Sequence, residues 1–170
     1  AERLGASVLV MGGLASVIGI YAAGLAVALG AGRVDYADDD PVRLAQAAAY
    51  GATPITLPGD LPMMYEIVVD ACGTPETLIQ AIRATEPERL LTSVTIHLRD
   101  TTPVPMLDMY QKGIVLRTGR ANVRTNIPPT LDCCHAHGFR PDLVETRLYA
   151  FDDAPTAWMD DAWRTAASRV

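Results

Sequence analysis

Residues 5–32 read GASVLVMGGLASVIGIYAAGLAVALGAG and contain no charged side chain. Two structures fit such a run. One is a membrane-spanning helix, which needs roughly 20 consecutive apolar residues. The other is the strand, turn and helix that open a nucleotide-binding domain. Because these alternatives lead to unrelated functions, the order of residues inside the run decides what kind of protein this is.

The internal order of the run favours a strand, a turn and a helix. Residues 7–11 form a short apolar stretch with β-branched side chains, and Gly12 and Gly13 interrupt it as a strand-ending turn would. From Ser16 onward, apolar and small residues recur near a period of 3.6, which predicts a helix. A second strand is predicted over 33–37, and the charges that follow it are acidic, whereas membrane spans are typically flanked by basic residues.

The second predicted strand ends at Asp38, about 20 residues beyond Gly19, where the dinucleotide-binding fingerprint places an acidic residue. Glycines allow the backbone to approach a pyrophosphate, and a helix N-terminus offers it N–H groups and a positive dipole end. The carboxylate can accept the hydroxyl groups of the adenosine ribose. The glycine spacing departs from G-x-G-x-x-G, since position 14 is leucine and Gly12 lies too far from Gly19. This motif alone is therefore a weak predictor.

Length and composition limit the alternatives further. A chain of 170 residues suits one domain with a substantial core. The net charge of −6 argues against a nucleic-acid partner, whose recognition usually needs a basic face. Cys72, Cys133 and Cys134 follow no disulfide framework and no signal peptide is evident, which predicts a cytoplasmic protein. Because the chain begins at Ala1 and a strand follows almost at once, we expect part of a longer polypeptide.

Strand and helix signals alternate along the rest of the chain. Asp39 or Asp40 is predicted to cap a helix that opens at Pro41, and Thr74 to cap one that opens at Pro75. Helices are predicted over 41–50, 76–85, 128–137 and 155–167, and strands over 53–57, 65–70, 89–98, 114–118 and 147–151. This alternation predicts an α/β fold, namely a Rossmann-type doubly wound parallel sheet in a three-layer αβα arrangement with a C-terminal returning segment. Ligands of such sheets bind at the carboxyl ends of the strands.

Several segments carry a family resemblance. They are VLVMGG at 8–13, IGIYAAGLAVALGA at 18–31, DDDPVRL at 38–44, GA at 51–52, VDACG at 69–73, YQKGI at 110–114, TGR at 118–120 and FDDAPTA at 151–157. In these segments and in their order, the chain resembles the C-terminal, NAD-binding half of zinc-type medium-chain alcohol dehydrogenases. The resemblance spans nearly the whole chain and is far more specific than any one motif.

The resemblance implies a Rossmann-type dinucleotide-binding domain over 1–117 and, over 118–170, a segment that returns toward a catalytic domain absent from this chain. The full enzyme would transfer hydride between an alcohol or aldehyde and NAD. The family's zinc ligands lie in its N-terminal domain, so we expect zinc only there and neither a catalytic residue nor a metal site in this chain. Alone, the chain is expected to bind NAD weakly and not to turn over. The resemblance also implies a homo-oligomer that pairs through 114–118. The net charge and the internal order of the opening run predict neither a nucleic acid nor a membrane as partner.

Carried over by position, the resemblance implies three groups of cofactor-binding residues. Those at the pyrophosphate are Gly12, Gly13, Ser16, Val17, Ile18 and Gly19; those at the adenosine are Asp38, for the ribose, and Arg43, beside the adenine; and those on the nicotinamide side are Ala71, Cys72, Val94, Thr95, Ile96 and Thr118. Leu14 and Thr95 stand where glycine is expected and would crowd the cofactor. Asp38, with two further carboxylates beside it, repels the extra phosphate of NADP, and no arginine directly follows the strand to neutralise it. We therefore predict NAD in preference to NADP.

Other functional hypotheses compete with this interpretation. Cys133 and His137 are spaced to supply two zinc ligands from one helical face, but a structural zinc site needs four and no second pair is evident. Cys72 fits a residue that lines the cleft better than a catalytic thiol, because no histidine or acid near it in sequence completes a recognisable set. His97 either contacts substrate or is a satisfied histidine at the sheet edge. A zinc-free quinone or enoyl reductase of the same superfamily and a non-enzymatic nucleotide-binding domain remain alternatives.

Overall fold

A computed structural model describes residues 4–146 and 148–159, and the backbone of residues 168 and 169. Its strands are β1 (Ser7–Met11), β2 (Arg33–Asp38), β3 (Thr53–Thr56), β4 (Tyr65–Asp70), β5 (Thr85–Ser93), β6 (Val115–Thr118), β7 (Glu145–Thr146) and β8 (Ser168–Arg169). Its helices are α1 (Ser16–Ala28), α2 (Pro41–Ala49), α3 (Pro75–Ala84), α4 (Met106–Lys112), α5 (Val123–Ala136) and α6 (Ala154–Met159). Short 3-10 turns occupy Pro141–Leu143 and Phe151–Asp153.

The main sheet confirms the predicted fold class. In the described residues, six strands pair in parallel in the order β3-β2-β1-β4-β5-β6. This is the strand order of a doubly wound Rossmann sheet, in which the chain reverses direction across the sheet between β1 and β4. Strands β7 and β8 form a separate parallel pair.

The first strand shows why the opening run is apolar. Val8 and Val10 join a core on one face of the sheet. Leu9 and Met11 join the core on the other face. All four side chains are buried, because successive residues of a strand point to opposite faces and helices cover both faces. The run 5–32 is therefore a buried strand and a helix of 13 residues, and the membrane-spanning alternative is wrong.

Among the described residues, we find no helix with the length and apolar character that crossing a bilayer requires.

The segment after β6 packs on the same core as α1 and α2. Cys133, Phe139 and Val144 are buried with side chains of the first two strands. Tyr50 donates a hydrogen bond of 2.6 Å to the Arg140 carbonyl oxygen. Gly24 allows this contact, because a Cβ there would lie 2.6 Å from the Tyr50 ring. The predicted domain boundary at 117/118 stays a proposal.

One predicted strand has the wrong bounds. The sequence predicts a strand over 89–98, whereas β5 runs from Thr85 to Ser93 and residues 94–98 form a loop. The ladder to β4 ends with the pair Asp70 and Ser93. Beyond it, the Ser93 hydroxyl bonds to His97 Nε2 at 3.1 Å, which holds the chain in a turn rather than in a longer strand. Val94, Thr95 and Ile96 therefore lie beyond the strand end.

The C-terminal third differs more from its prediction. Helix α5 begins at Val123, five residues before the predicted start at Pro128, so both prolines lie inside it. This is tolerated because nearly the whole helix is exposed, and carbonyl groups left without an N–H donor face water. The strand predicted over 147–151 is wrong for residues 148–151, and Arg147 lies outside the described residues.

The last predicted helix begins at Ala154 and is described to Met159; residues 160–167 lie outside the described part. Helix α4 was not predicted, since the prolines at 103 and 105 indicate a loop in this stretch.

Candidate functional site

The predicted site residues lie at the carboxyl edge of the sheet, in the turns after β1, β4 and β5, at the ends of β2 and β6, and in the first turns of α1 and α2. The structure brings them into two groups. One surrounds the glycine turn and the end of β2. The other lies around the ends of β5 and β6. Cys72 belongs to the first group, because it fills the space where a Cβ of Gly13 would be.

The glycine turn after β1 is fastened to the end of β4. Gly13 has a φ of +145°, a backbone conformation that glycine adopts and other residues rarely do. The next two N–H groups point back to the sheet: Leu14 N donates to the Cys72 oxygen at 3.3 Å, and Ala15 N donates to the Ala71 oxygen at 2.9 Å. These two donors therefore serve the fold. The Leu14 side chain is 73% exposed at the surface of the turn.

The N-terminus of α1 is open. Its N-cap residue, Ala15, makes no side-chain hydrogen bond, and the first turn contains no acidic residue. The N–H groups of Ser16, Val17 and Ile18 have no partner within the helix, as in the first turn of any helix. Together with the helix dipole they favour an anion. Gly19 is buried close to β4, since a Cβ there would lie 3.1 Å from Ala71 Cβ.

Asp38 is buried at the end of β2, with 1% of its surface exposed. Its Oδ1 accepts hydrogen bonds from Arg43 Nη2 at 2.6 Å and from Asp40 N at 3.0 Å. Its Oδ2 accepts from Arg43 Nε at 2.8 Å and from the Tyr36 hydroxyl at 2.9 Å. Asp40 is the helix cap, because its carboxylate accepts from Val42 N at 2.7 Å and so begins α2.

These contacts set the charge state of the cluster. Burial by itself would raise the pKa of Asp38, but the hydrogen bonds from Arg43 and from the Asp40 N–H, with the positive charge of Arg43, hold it below its ordinary value of 3.8. Burial and the charge of Asp38 raise the pKa of Tyr36, which therefore stays a neutral donor. Asp38 has an arginine partner within the chain, although no arginine directly follows the strand. Arg43 follows five residues later and, one helical turn into α2, reaches back to the carboxylate.

The second group lines a cavity of about 700 Å³ at the ends of β5 and β6. Four predicted residues contribute to its wall, namely Val94, Thr95, Ile96 and Thr118. Ser93, His97, Thr102, Gly119 and Arg120 also line it, with Leu78, Val104, Leu116 and Ala121 on the apolar side. Ala71 and Cys72, which were predicted for the same side, instead pack against the glycine turn.

A buried carboxylate orients one wall of the cavity. Asp70 is fully buried at the end of β4, and its Oδ1 accepts from Cys72 N at 3.2 Å. Its Oδ2 accepts from the Ser93 hydroxyl at 2.8 Å. Because Ser93 gives its only proton to Asp70, the Ser93–His97 bond of 3.1 Å must be donated by His97 Nε2. This bond through Nε2 fixes the His97 ring at the cavity wall.

Removing this hydroxyl tests the cluster. We expect Ser93→Ala to lower the free energy of unfolding by about 2 kcal/mol, since a buried carboxylate loses a donor. Thr92→Ala is the matched control, because Thr92 points to the opposite face of β5 and is half-buried. Urea unfolding followed by circular dichroism measures both. Equal losses in the two variants would contradict a special role for the Ser93–Asp70 bond.

Sequence reasoning did not select Tyr36, Asp70 or Ser93. Each is a polar residue near the carboxyl end of its strand, where ligands of such sheets bind, and that position is the signal that could have found them. Among the described residues, no group of three or more histidine, cysteine or acidic side chains is placed to hold a metal ion. Cys133 packs in the core, 4% exposed, which takes one of the two suspected ligands away from the surface.

The fold and the site define a Rossmann-type αβα domain whose polar side chains gather at the carboxyl edge of the sheet, on both sides of the switch point. No protein-family model matches the chain. It is 30% identical over 155 residues to a probable zinc-binding alcohol dehydrogenase of Mycobacterium tuberculosis, a match that covers 84% of this chain and 40% of that protein.

Several solved structures of dehydrogenases superpose on this chain. An alcohol dehydrogenase from Thermus sp. ATN1 superposes with a TM-score of 0.85 at 27% identity, over 98% of this chain and 50% of that one. A protein described as a short chain alcohol dehydrogenase from Escherichia coli, complexed with NADH, gives a TM-score of 0.80 at 19% identity, over 92% of this chain and 48% of that one. A zinc-binding dehydrogenase from Sinorhizobium meliloti bound to NADP gives a TM-score of 0.77 at 17% identity, over 92% of this chain and 49% of that one.

The predicted resemblance is therefore confirmed. The chain is similar in sequence and fold to the cofactor-binding half of zinc-type medium-chain alcohol dehydrogenases. It spans about half the length of the proteins it matches.

Proposed function

We propose that this chain is the cofactor-binding half of an alcohol dehydrogenase-like oxidoreductase and that it binds NAD(H) at the carboxyl edge of its sheet. The observation that carries the proposal is the open N-terminus of α1 beside the buried carboxylate of Asp38. The first offers N–H groups to a pyrophosphate, and the second has the acceptor oxygens that a ribose needs, once an internal donor gives way. The M. tuberculosis relative, described as a probable zinc-binding alcohol dehydrogenase, supports the reaction class.

The residues present fit a dinucleotide. Ser16, Val17 and Ile18 would hold the pyrophosphate, and Asp38 the adenosine ribose. The cavity of about 700 Å³ is large enough for a nicotinamide ring and its ribose. When bound, the cofactor accepts or donates the hydride. This chain binds and orients it, while zinc and most of the alcohol or aldehyde pocket belong to the half of such an enzyme that the chain does not cover.

NAD is proposed over NADP on the basis of charge. Asp38, Asp39 and Asp40 place three carboxylates against the single guanidinium of Arg43. The surplus negative charge repels the extra phosphate of NADP. Parallel titrations of NADH and NADPH decide the question, and equal or tighter binding of NADPH would overturn the preference.

A charge at the start of α1 tests the pyrophosphate site. Ile18 is the third residue of the helix and is 53% exposed. We expect Ile18→Asp to weaken NADH binding about tenfold or more, because the new carboxylate repels the pyrophosphate. The same charge should leave stability unchanged or slightly higher, since an acid in the first turn favours the helix dipole. Fluorescence titration with NADH measures the affinity, and thermal unfolding measures the stability.

Ile18→Asn is the matched control, because asparagine has nearly the shape of aspartate but no charge. This variant should bind NADH far better than Ile18→Asp. Identical affinities in the two variants would place the pyrophosphate elsewhere. If the unmodified chain binds neither NADH nor NAD, the proposed function fails in favour of a non-enzymatic structural domain. Cytoplasmic location and homo-oligomer formation through 114–118 stay proposals, which cell fractionation and light scattering would test.

A further inference from the structure

The ribose-binding carboxylate is already saturated by the protein's own donors. A carboxylate has about four lone-pair positions. Asp38 uses all four, two for the Arg43 guanidinium, one for the Tyr36 hydroxyl and one for Asp40 N, at distances of 2.6 to 3.0 Å. The hydroxyl groups of a ribose therefore find no free acceptor on Asp38 as long as these contacts persist.

The side chains of Tyr36 and Asp38 also fill the space beside the glycine turn. A Cβ at Gly12 would overlap both Asp38 Oδ2 and the Tyr36 hydroxyl. A Cβ at Gly19 would touch the Tyr36 ring at 3.6 Å. Tyr36 is fully buried. The missing side chain of Gly12 thus makes room for Tyr36, whose hydroxyl holds the Asp38 carboxylate at the turn.

The donors differ in how easily they can leave. Tyr36 is enclosed by the sheet and α1, and moving its hydroxyl would leave a buried donor unsatisfied. Asp40 N belongs to the backbone. Arg43 is different, because it also contacts Asp39 at 3.1 Å and Asp40 at 3.2 Å. It can leave Asp38 and remain paired with these carboxylates.

The lone pairs that Arg43 would vacate match a ribose. Arg43 Nη2 occupies one position on Oδ1 and Arg43 Nε one position on Oδ2. Its departure frees one acceptor on each oxygen, and the two hydroxyl groups of an adenosine ribose need one acceptor each. The guanidinium is therefore an internal substitute for the diol.

We infer that Arg43 plugs the adenosine-ribose site of the free chain, and that a dinucleotide binds only after Arg43 swings from Asp38 to Asp39 and Asp40. This inference rests on the proposed function. It attributes the weak binding of NAD that is expected of the isolated chain to the side chain of Arg43. Leu14 and Thr95, the two departures from the glycine pattern, then play the smaller part.

The test is the affinity for ADP and NADH, measured by calorimetry on the full chain. Arg43→Gln has no guanidinium to fill both positions, and we expect it to bind ADP about tenfold more tightly than the unmodified chain. Arg43→Lys presents one ammonium nitrogen where arginine presents two guanidinium nitrogens, and its affinity for ADP should fall between those of the other two chains. Lysine keeps a positive charge opposite buried Asp38, so this variant tests the inference should Arg43→Gln fail to fold.

The chain contains its own control. Arg33 pairs through Nε with buried Asp35, at 3.0 and 2.9 Å, and Tyr65 donates to the same carboxylate. Arginine, aspartate and tyrosine thus meet a second time, at an aspartate that lies three residues before the end of β2. Arg33→Gln removes this ion pair, which is more exposed than that of Arg43 and lies away from the proposed ligand, and should leave the affinity for ADP unchanged.

A ligand that lacks one ribose hydroxyl distinguishes occupation of Asp38 by Arg43 from a general loosening of the fold. We expect 2′-deoxy-ADP to bind Arg43→Gln about tenfold more weakly than ADP does, and the unmodified chain to discriminate less, because its Asp38 is occupied. Unchanged or weaker ADP binding by both Arg43 variants would overturn the inference while NADH binding by the unmodified chain keeps the proposed function. Failure of every variant and of the unmodified chain to bind either ligand would overturn both.

Discussion

Replacing Asp38 with asparagine is expected to lower the free energy of unfolding by about 3 kcal/mol. The carboxylate is 1% exposed and accepts four hydrogen bonds, two of them from a guanidinium that is itself only 13% exposed. Asparagine offers one acceptor oxygen in place of two and turns an N–H₂ donor toward Arg43. A buried cation is then left facing a donor, which is more costly than the loss of the bonds alone. Urea unfolding at pH 7 measures the change.

Asp39→Asn is the control, because Asp39 contacts the same Arg43 but is 78% exposed, and it should cost less than about 1 kcal/mol. The pH dependence gives a second check. The pKa of Asp38 in the folded chain lies below its ordinary value of 3.8, so the stabilisation is complete above that pH and is lost as the pH falls through the folded value. The gap between Asp38→Asn and the unmodified chain should therefore narrow in acid. A gap that stayed constant down to pH 2 would show that charge is not the cause.

Gly13→Ala is expected to have a comparable effect, about 4 kcal/mol of lost stability. The φ of +145° disfavours any side chain. A Cβ would also lie 2.6 Å from Cys72 Sγ and 2.8 Å from Cys72 Cα. The Cys72 backbone cannot retreat, because the turn is bonded to it through Leu14 N and to its neighbour through Ala15 N. Both strain and overlap must therefore be relieved by breaking the turn, and thermal unfolding should show the loss.

Gly138→Ala separates the two causes of this loss. Gly138 has a φ of +68°, and a Cβ there would meet no atom within 4 Å. Its replacement should therefore cost only the backbone strain, about 1 kcal/mol. If the two glycine variants were equally stable, the contact between the glycine turn and Cys72 would not be what requires Gly13.

The elements around the first two strands were predictable because their signals are local. A strand buried on both faces needs apolar side chains, and β1 has them from Val8 to Met11. A helix needs a cap and a good first residue, and Asp40 with Pro41 and Thr74 with Pro75 provide them. The C-terminal third was harder to predict because α5 lies on the surface. Few of its side chains are buried, so periodicity carries little information there, and two prolines pointed to the wrong start.

The candidate site was likewise predictable only in part. The positions of Gly12, Asp38 and Thr118 at strand ends follow from the order of elements, because parallel strands end at one edge. The partners of these residues do not follow from it. Tyr36 and Arg43 lie two and five residues from Asp38, but whether they donate to its carboxylate depends on how β2 and α2 pack against the turn. Ser93 and Asp70 are 23 residues apart and meet only through the register of β4 and β5.

The sequence by itself thus determined the fold class, the edge of the sheet at which the candidate site lies and the resemblance to the cofactor-binding half of alcohol dehydrogenases, since each depends on local patterns in a defined order. Only the tertiary structure decided the state of the site. It shows that the carboxylate of Asp38 is enclosed by Tyr36 and held by Arg43. The reason is geometric: a hydrogen bond depends on the position of two atoms to within a few tenths of an ångström, and such positions result from the packing of the whole sheet and its helices.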